Sequence, residues 1–130
     1  MLVDSSAWIE FLRATGSPTD LRLTRAMDSG EPLATMGVVD LEILAGARDE
    51  RHACDLRRLL GQSRFVRLEE PSDHEAAAAL YRTCRRAGTT IRRLPDCLIA
   101  AVAIRIGAPL LHRDADFEAL ARHAPLSVVA

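Results

Sequence analysis

Met1-Leu-Val-Asp4-Ser-Ser-Ala-Trp8-Ile-Glu-Phe-Leu12 starts as a strand and becomes a helix within a few residues. Leu2 and Val3 read as a strand that ends at Asp4. The serines that follow can cap a helix carrying Trp8, Ile9, Phe11 and Leu12. An acid delivered at a strand end and followed at once by a helix is the opening of an α/β unit, and the rest of the chain repeats the alternation. Leu21 to Met27 suggests a helix and Pro32-Leu-Ala-Thr35 a short strand. Val38 to Ala47 suggests a helix closed by Gly46 or by the polar run after it, and Arg51 to Leu60 another. Phe65-Val-Arg-Leu68 alternates as a strand does.

Ser72-Asp-His-Glu75 has the spacing of a capping box and opens a long helix toward Ala87, stopped by Gly88. Pro95 suits the first turn of a helix whose apolar positions Leu98, Val102 and Ile106 recur every four residues. Leu110-Leu111 reads as a strand, and Asp114 as the cap of a helix with Phe117, Leu120 and Ala121. Leu126-Ser-Val-Val129 closes the pattern. Strands alternating with helices imply a parallel-type sheet with helices on both faces. In such sheets the ligand crevice lies beyond the carboxyl ends of the strands. Asp4 ends one strand and Asp114 follows another, so one crevice could hold both.

The 130 residues are 48% hydrophobic and contain neither a linker-like stretch nor a repeat, so residues 1–130 are expected to form one domain with its own core. No apolar run approaches the roughly 20 residues of a membrane span, and only three residues precede Asp4, which points to a cytoplasmic protein. Cys54, Cys84 and Cys97 are odd in number, widely spaced and without a C-x-x-C, which suits core or half-buried thiols rather than zinc ligands. The formal net charge is −1, too little to make the whole molecule a polyanion binder. All 17 basic residues are arginine. The absence of lysine counts against P-loop NTPases, receiver domains and haloacid-type phosphatases, which use one. Arg82, Arg85, Arg86, Arg92 and Arg93 make a stretch without an acid, either a solvated face or a phosphate contact.

Asp4, Glu42, Asp96 and the pair Asp114/Asp116 each interrupt an apolar neighbourhood. Asp4 or Asp114 alone would be an ordinary cap, and Asp96 an ordinary acid of a helix N-terminal turn. Glu42 has Val38, Val39, Ala45 and Gly46 three and four positions away, so it is expected to point inward or into a cleft. If these groups converge, each close pair costs roughly 4 kcal/mol at 4 Å and an effective dielectric of 20. Either some stay protonated or divalent cations join them. Oxygen ligands without a Cys or His set favour Mg²⁺ or Mn²⁺ over zinc. Such ions acidify a bound water and neutralise charge on a phosphate, so the reaction class is phosphodiester hydrolysis. Basic side chains must then hold the polyanion at the rim, and Arg92, Arg93 and Arg113 are the candidates.

The first segment quoted above, Val39-Asp-Leu-Glu42-Ile-Leu-Ala-Gly46, Pro95-Asp96-Cys-Leu-Ile-Ala-Ala101 and His112-Arg-Asp114-Ala-Asp116-Phe117 together resemble the PIN domain, in particular the VapC toxins of bacterial toxin–antitoxin pairs. The resemblance runs in order from the first residue to about Leu120. It implies a three-layer α/β/α sandwich with a mostly parallel sheet and a Mg²⁺- or Mn²⁺-dependent endoribonuclease. Asp4 and Asp96 match the family's direct metal ligands. Glu42 would complete the shell or position the water, and Asp114 and Asp116 compete for the fourth acidic role. Asp114 is preferred, because Asp116 can instead face Arg113 or the amides of the first turn. His112 stands where the family commonly has Thr or Ser; it either contacts substrate or, the preferred reading, fills the strand end.

The resemblance also implies a homodimer, a VapB antitoxin partner and a structured RNA substrate, tRNA or ribosomal RNA. Excess apolar side chains on the first helix would suit such a partner, or else this domain's own core. A metal-dependent DNA nuclease, a non-catalytic RNA- or protein-binding module and a phosphotransfer domain are the alternatives, in that order.

Overall fold

The computed structural model describes residues 1–129, and in it helices and strands alternate as the sequence suggests. The strands are β1 (Leu2–Val3), β2 (Ala34–Met36), β3 (Arg64–Val66), β4 (Leu110–Leu111) and β5 (Val128–Val129), in the sheet order β3-β2-β1-β4-β5. The helices are α1 (Ser5–Leu12), α2 (Pro18–Asp28), α3 (Gly37–Ala45), α4 (Glu50–Leu60), α5 (Ser72–Arg86), α6 (Leu94–Ile106) and α7 (Ala115–His123). β1 pairs with β2 and β2 with β3 in parallel, Leu2 opposite Ala34 and Thr35 opposite Phe65. Parallel neighbours need crossover connections, and here the crossovers are helical. Ala130, the last residue of the single-domain expectation, lies outside the described residues.

Residues 1–67 with 111–113 form one compact unit, and 68–110 with 114–129 another. The core of the first holds Leu2, Val3, Trp8, Leu23, Met36 and Val39, all but sealed from solvent. β1 and β2 are buried at every position, as the strands of a covered parallel sheet are. The cap of α1 is Asp4, not the serines: its Oδ2 accepts from the Ser6 amide at 2.9 Å. α2 starts three residues before its expected Leu21, because Ser17 caps it and Pro18 occupies its first turn. Thr19 and Asp20 disguise that turn as polar loop, yet both are buried. Asp20 accepts from the Gly16 amide at 2.9 Å and from Thr24 Oγ1 at 3.3 Å. β2 begins at Ala34, not Pro32, which has no amide for a ladder. In β3 only Val66 is buried.

The second unit packs α6 against α5 and α7. The expected capping box of α5 does not form. Ser72 is already helical and its hydroxyl donates to the Glu69 carbonyl, while Asp73 turns back to accept the Glu69 amide at 2.8 Å. Asp73 is buried and receives Nε and Nη2 of Arg105, each at 2.9 Å. The Leu98/Val102/Ile106 stripe expected for α6 is too narrow: Asp96, Cys97 and every residue from Ile99 to Ala103 are buried, with Leu98 and Ile106 half-buried. Gly107, at φ 66°, ends the helix in the left-handed conformation that a side chain would resist. Cys84 and Cys97 are buried as expected, but Cys54 is exposed. No helix among the described residues is long and apolar enough to cross a membrane.

Candidate active site

The candidate acids fall into two groups, one in each unit. The first is Asp4 with Glu42. Asp4 follows β1 directly and is held by two donors from one residue, the Ser6 amide at 2.9 Å and the Ser6 hydroxyl at 2.5 Å, both on Oδ2. Its other oxygen, Oδ1, is buried with no hydrogen-bond partner among the described residues. Burial pushes the Asp4 carboxyl above the ordinary range; the Ser6 hydrogen bonds pull it down, and the charge of Glu42 pushes it up again. Glu42, half-buried on α3 as its apolar neighbours suggest, accepts the Ser5 hydroxyl at 3.0 Å. Ser6 Oγ also accepts the Arg113 amide at 2.9 Å.

The second group is Asp96, Asp114 and Asp116, each offering a carboxylate oxygen within 4.8 Å of the other two. Asp96 is in the first turn of α6 and buried, as the position of Pro95 suggests. Asp114 caps α7, its Oδ1 accepting the Asp116 amide at 2.9 Å. Asp116 is buried and faces Arg92, not Arg113: it accepts the Arg92 amide at 3.1 Å and Nε at 3.3 Å. Arg92 Nη2 reaches Asp114 Oδ1 at 3.0 Å. The thiol of Cys97, beside Asp96, is pushed up to about 11, chiefly by burial, so it remains protonated and unreactive at neutral pH.

The basic residues expected at the rim therefore differ in what they do. Arg113 projects half-exposed and pairs with Glu10 at 3.0 Å. Arg93 is exposed at the N-terminal boundary of α6. Arg92 is on the acids themselves, with its side chain 68% exposed. His112 is buried just after β4, and its carbonyl accepts from Thr19 Oγ1 at 3.4 Å. On α1, Trp8 is buried whereas Ile9 and Leu12 are 40% and 44% exposed, so the apolar excess is divided between core and surface. Both border a cavity of about 520 Å³ with Arg13, Ile43 and His52.

Ser5 and Ser6 were not among the residues singled out for the site, although the string Asp4-Ser-Ser contained the signal: short hydroxyls beside a buried acid can orient it. Arg92 was singled out for phosphate, and its pairing with acids more than twenty positions away had no local signal.

The donor set fits a hard divalent cation. The three carboxylates of the second group offer oxygen alone, and the unsatisfied Asp4 Oδ1 is a buried acceptor for which a cation is a natural counterpart.

Residues 1–123 match the family model described as the PIN domain, a span that includes all five acids. The chain is 43% identical to Ribonuclease VapC11 of Mycobacterium tuberculosis over 123 residues, 94% of this chain and 92% of that one. Among solved structures, a chain of VapBC2 from Rickettsia felis, bound to a DNA fragment from their promoter, superposes with a TM-score of 0.76 at 15% identity, covering 98% of this chain and 96% of that one. VapC20 of M. tuberculosis, a sarcin-ricin loop cleaving toxin, gives a TM-score of 0.67 at 22% identity and covers 97% and 98%. At those identities the structural likeness shows the fold, an α/β sandwich around a parallel sheet, and the match to VapC11 carries the kinship further. The chain belongs to the PIN-domain family, among its VapC-type members.

Proposed function

We infer that this protein is a Mg²⁺- or Mn²⁺-dependent endoribonuclease, the toxin of a type II toxin–antitoxin pair. The observation that carries the reading is 43% identity to a VapC ribonuclease across 94% of the chain. We take residues 1–130 as a single nuclease domain, a reading supported by a family match over residues 1–123 that includes residues of both units. By the family resemblance, Asp4 and Asp96 would each be a direct metal ligand, Glu42 would complete the shell or orient water, and Asp114 would be the fourth acid. Asp116 supports Asp114.

A bound divalent ion supplies an acidified water and offsets charge on the scissile phosphate. The chain's own residues do the rest. Ser6 fixes Oδ2 of Asp4 and leaves Oδ1 presented, and Ser5 fixes Glu42. Arg92, Arg93 and Arg113 hold the polyanion, with the guanidinium's planar fork matching phosphate oxygens. The substrate is a structured RNA, tRNA or ribosomal RNA, the class that the resemblance to VapC-type ribonucleases implies. The same kinship supports a VapB-type antitoxin, a homodimer and a cytoplasmic location.

The test incubates the purified chain, freed of any co-purifying partner, with total tRNA and ribosomal RNA in Mg²⁺, Mn²⁺ or EDTA, beside Asp96→Ala. Discrete metal-dependent cuts, lost in the variant, are expected. Cutting confined to single-stranded or flap DNA would replace the reading by a DNA nuclease. No cutting of any nucleic acid by folded, metal-loaded protein would replace it by a binding module.

A further inference from the structure

Arg92 makes three contacts on two acids of the second group. Its backbone amide and Nε go to opposite oxygens of Asp116, and Nη2 goes to the Asp114 oxygen that also caps α7. Asp114 and Asp116 are also the carboxylates that cluster with Asp96 at ligand spacing. A guanidinium and a divalent cation thus have claims on the same two carboxylates. Arginine cannot shed its charge in a protein, so the two repel and the conflict can be relieved only by movement. The side chain is largely in solvent, so the guanidinium can move without unpacking a core, while the hydrogen bond its backbone amide donates to Asp116 keeps the main chain in place.

We propose that Arg92 is an internal counter-cation that occupies the Asp114/Asp116 carboxylates in the metal-free protein and is displaced by the divalent ion, which frees its guanidinium for the substrate phosphate. This rests on the metal-dependent reading above. It adds an order of events: without metal, the acids are neutralised from within and the arginine is unavailable to RNA; with metal, the same side chain becomes a phosphate contact. The arrangement would keep the acidic group folded without an ion, at a cost in metal affinity.

The test is calorimetric titration of Mn²⁺ into wild type, Arg92→Ala, Arg92→Gln and, as a control for the loss of one positive charge, Arg86→Ala on the exposed end of α5. Thermal unfolding in EDTA and in saturating Mn²⁺ accompanies it. The expected result is Mn²⁺ affinity higher by about two- to fivefold in both Arg92 variants, the range set by an ion pair whose guanidinium is largely exposed, and unchanged in Arg86→Ala. The variants should also unfold at lower temperature than wild type in EDTA, with the gap closing in Mn²⁺. The glutamine variant retains hydrogen-bonding capacity and remains informative if alanine fails to fold. Unchanged or weaker Mn²⁺ affinity in both Arg92 variants, with wild type binding normally, would overturn the proposal and make Arg92 a structural clamp. Failure of wild type itself to bind Mn²⁺ would overturn the metal reading, and this proposal with it.

Discussion

The hydroxyl of Ser5 donates to Oε2 of Glu42 at 3.0 Å, joining the first residue of α1 to the middle of α3. Ser5 is buried, so this bond is sheltered from water and holds the glutamate in one orientation. Groups that orient a metal-site carboxylate typically contribute 10- to 100-fold to affinity or rate. Ser5→Ala is expected to lower the single-turnover rate of RNA cleavage by about tenfold, with the unfolding midpoint little changed. A wild-type rate in Ser5→Ala would remove Glu42 orientation from the account.

Asp4 makes a prediction about pH. Its carboxyl is pushed above its ordinary range, first by burial and against the pull of the Ser6 hydrogen bonds. A group whose folded pKa is raised contributes stability below its unfolded pKa and loses it as pH rises through the folded value. In EDTA, wild type should therefore lose stability relative to Asp4→Asn as pH is raised from about 4 toward 7. At pH 7 Asp4→Asn should unfold at the higher temperature. Saturating Mn²⁺ should reverse the order, because only the carboxylate gains from the ion. Differential scanning calorimetry across pH, with and without metal, checks this; a variant no more stable than wild type in EDTA would contradict the cost assigned to burying Asp4.

The second unit carries the opposite sign. Asp73 is buried and its carboxyl is held below 3.8, chiefly by hydrogen bonds from Arg105. Its contribution is therefore present above the unfolded pKa and lost as pH falls through the folded one. Arg105→Met is expected to destabilise the fold by about 3 kcal/mol, because a buried carboxylate loses its guanidinium. Urea titration at pH 7 measures it, and the deficit should shrink as pH falls through about 4, first as the orphaned acid protonates in the variant and then as Asp73 does in wild type.

The elements could be read from the chain where their signals are local. Asp114 before Ala115 is a cap by residue type, Pro95 marks the start of α6, and Gly88 and Gly107 mark the ends of α5 and α6. Signals failed where a distant partner decides. Ser72-Asp-His-Glu75 has the letters of a capping box, but Arg105, over thirty positions away, takes Asp73, and the box does not form. Thr19 and Asp20 look like loop residues because their burial depends on hydrogen bonds to Gly16, Thr24 and His112. At the candidate site the acids stood out because each breaks an apolar pattern. Arg92 stands out only as a candidate for phosphate, because its pairing with acids has no signal until Asp114 and Asp116 are brought to it.

Asp114 has two possible roles, which substitution can separate. As the cap of α7 it accepts the Asp116 amide, a task asparagine performs about as well as aspartate. As a metal ligand it must be charged, and asparagine is a poor substitute. Asp114→Asn is thus expected to keep the unfolding free energy within about 0.5 kcal/mol of wild type, whereas Asp114→Ala loses roughly 1 kcal/mol with the cap. Both should bind Mn²⁺ more weakly and cleave RNA more slowly, by similar factors, because both lack the carboxylate. Loss of Arg92's Asp114 contact in either variant pushes metal affinity the other way, so any net weakening understates the ligand's contribution. If Asp114→Asn kept wild-type affinity and rate while Asp114→Ala lost only stability, Asp114 would be a cap and nothing more. The fourth acidic role would then pass to Asp116, whose substitution by asparagine should abolish what the Asp114 variants retained.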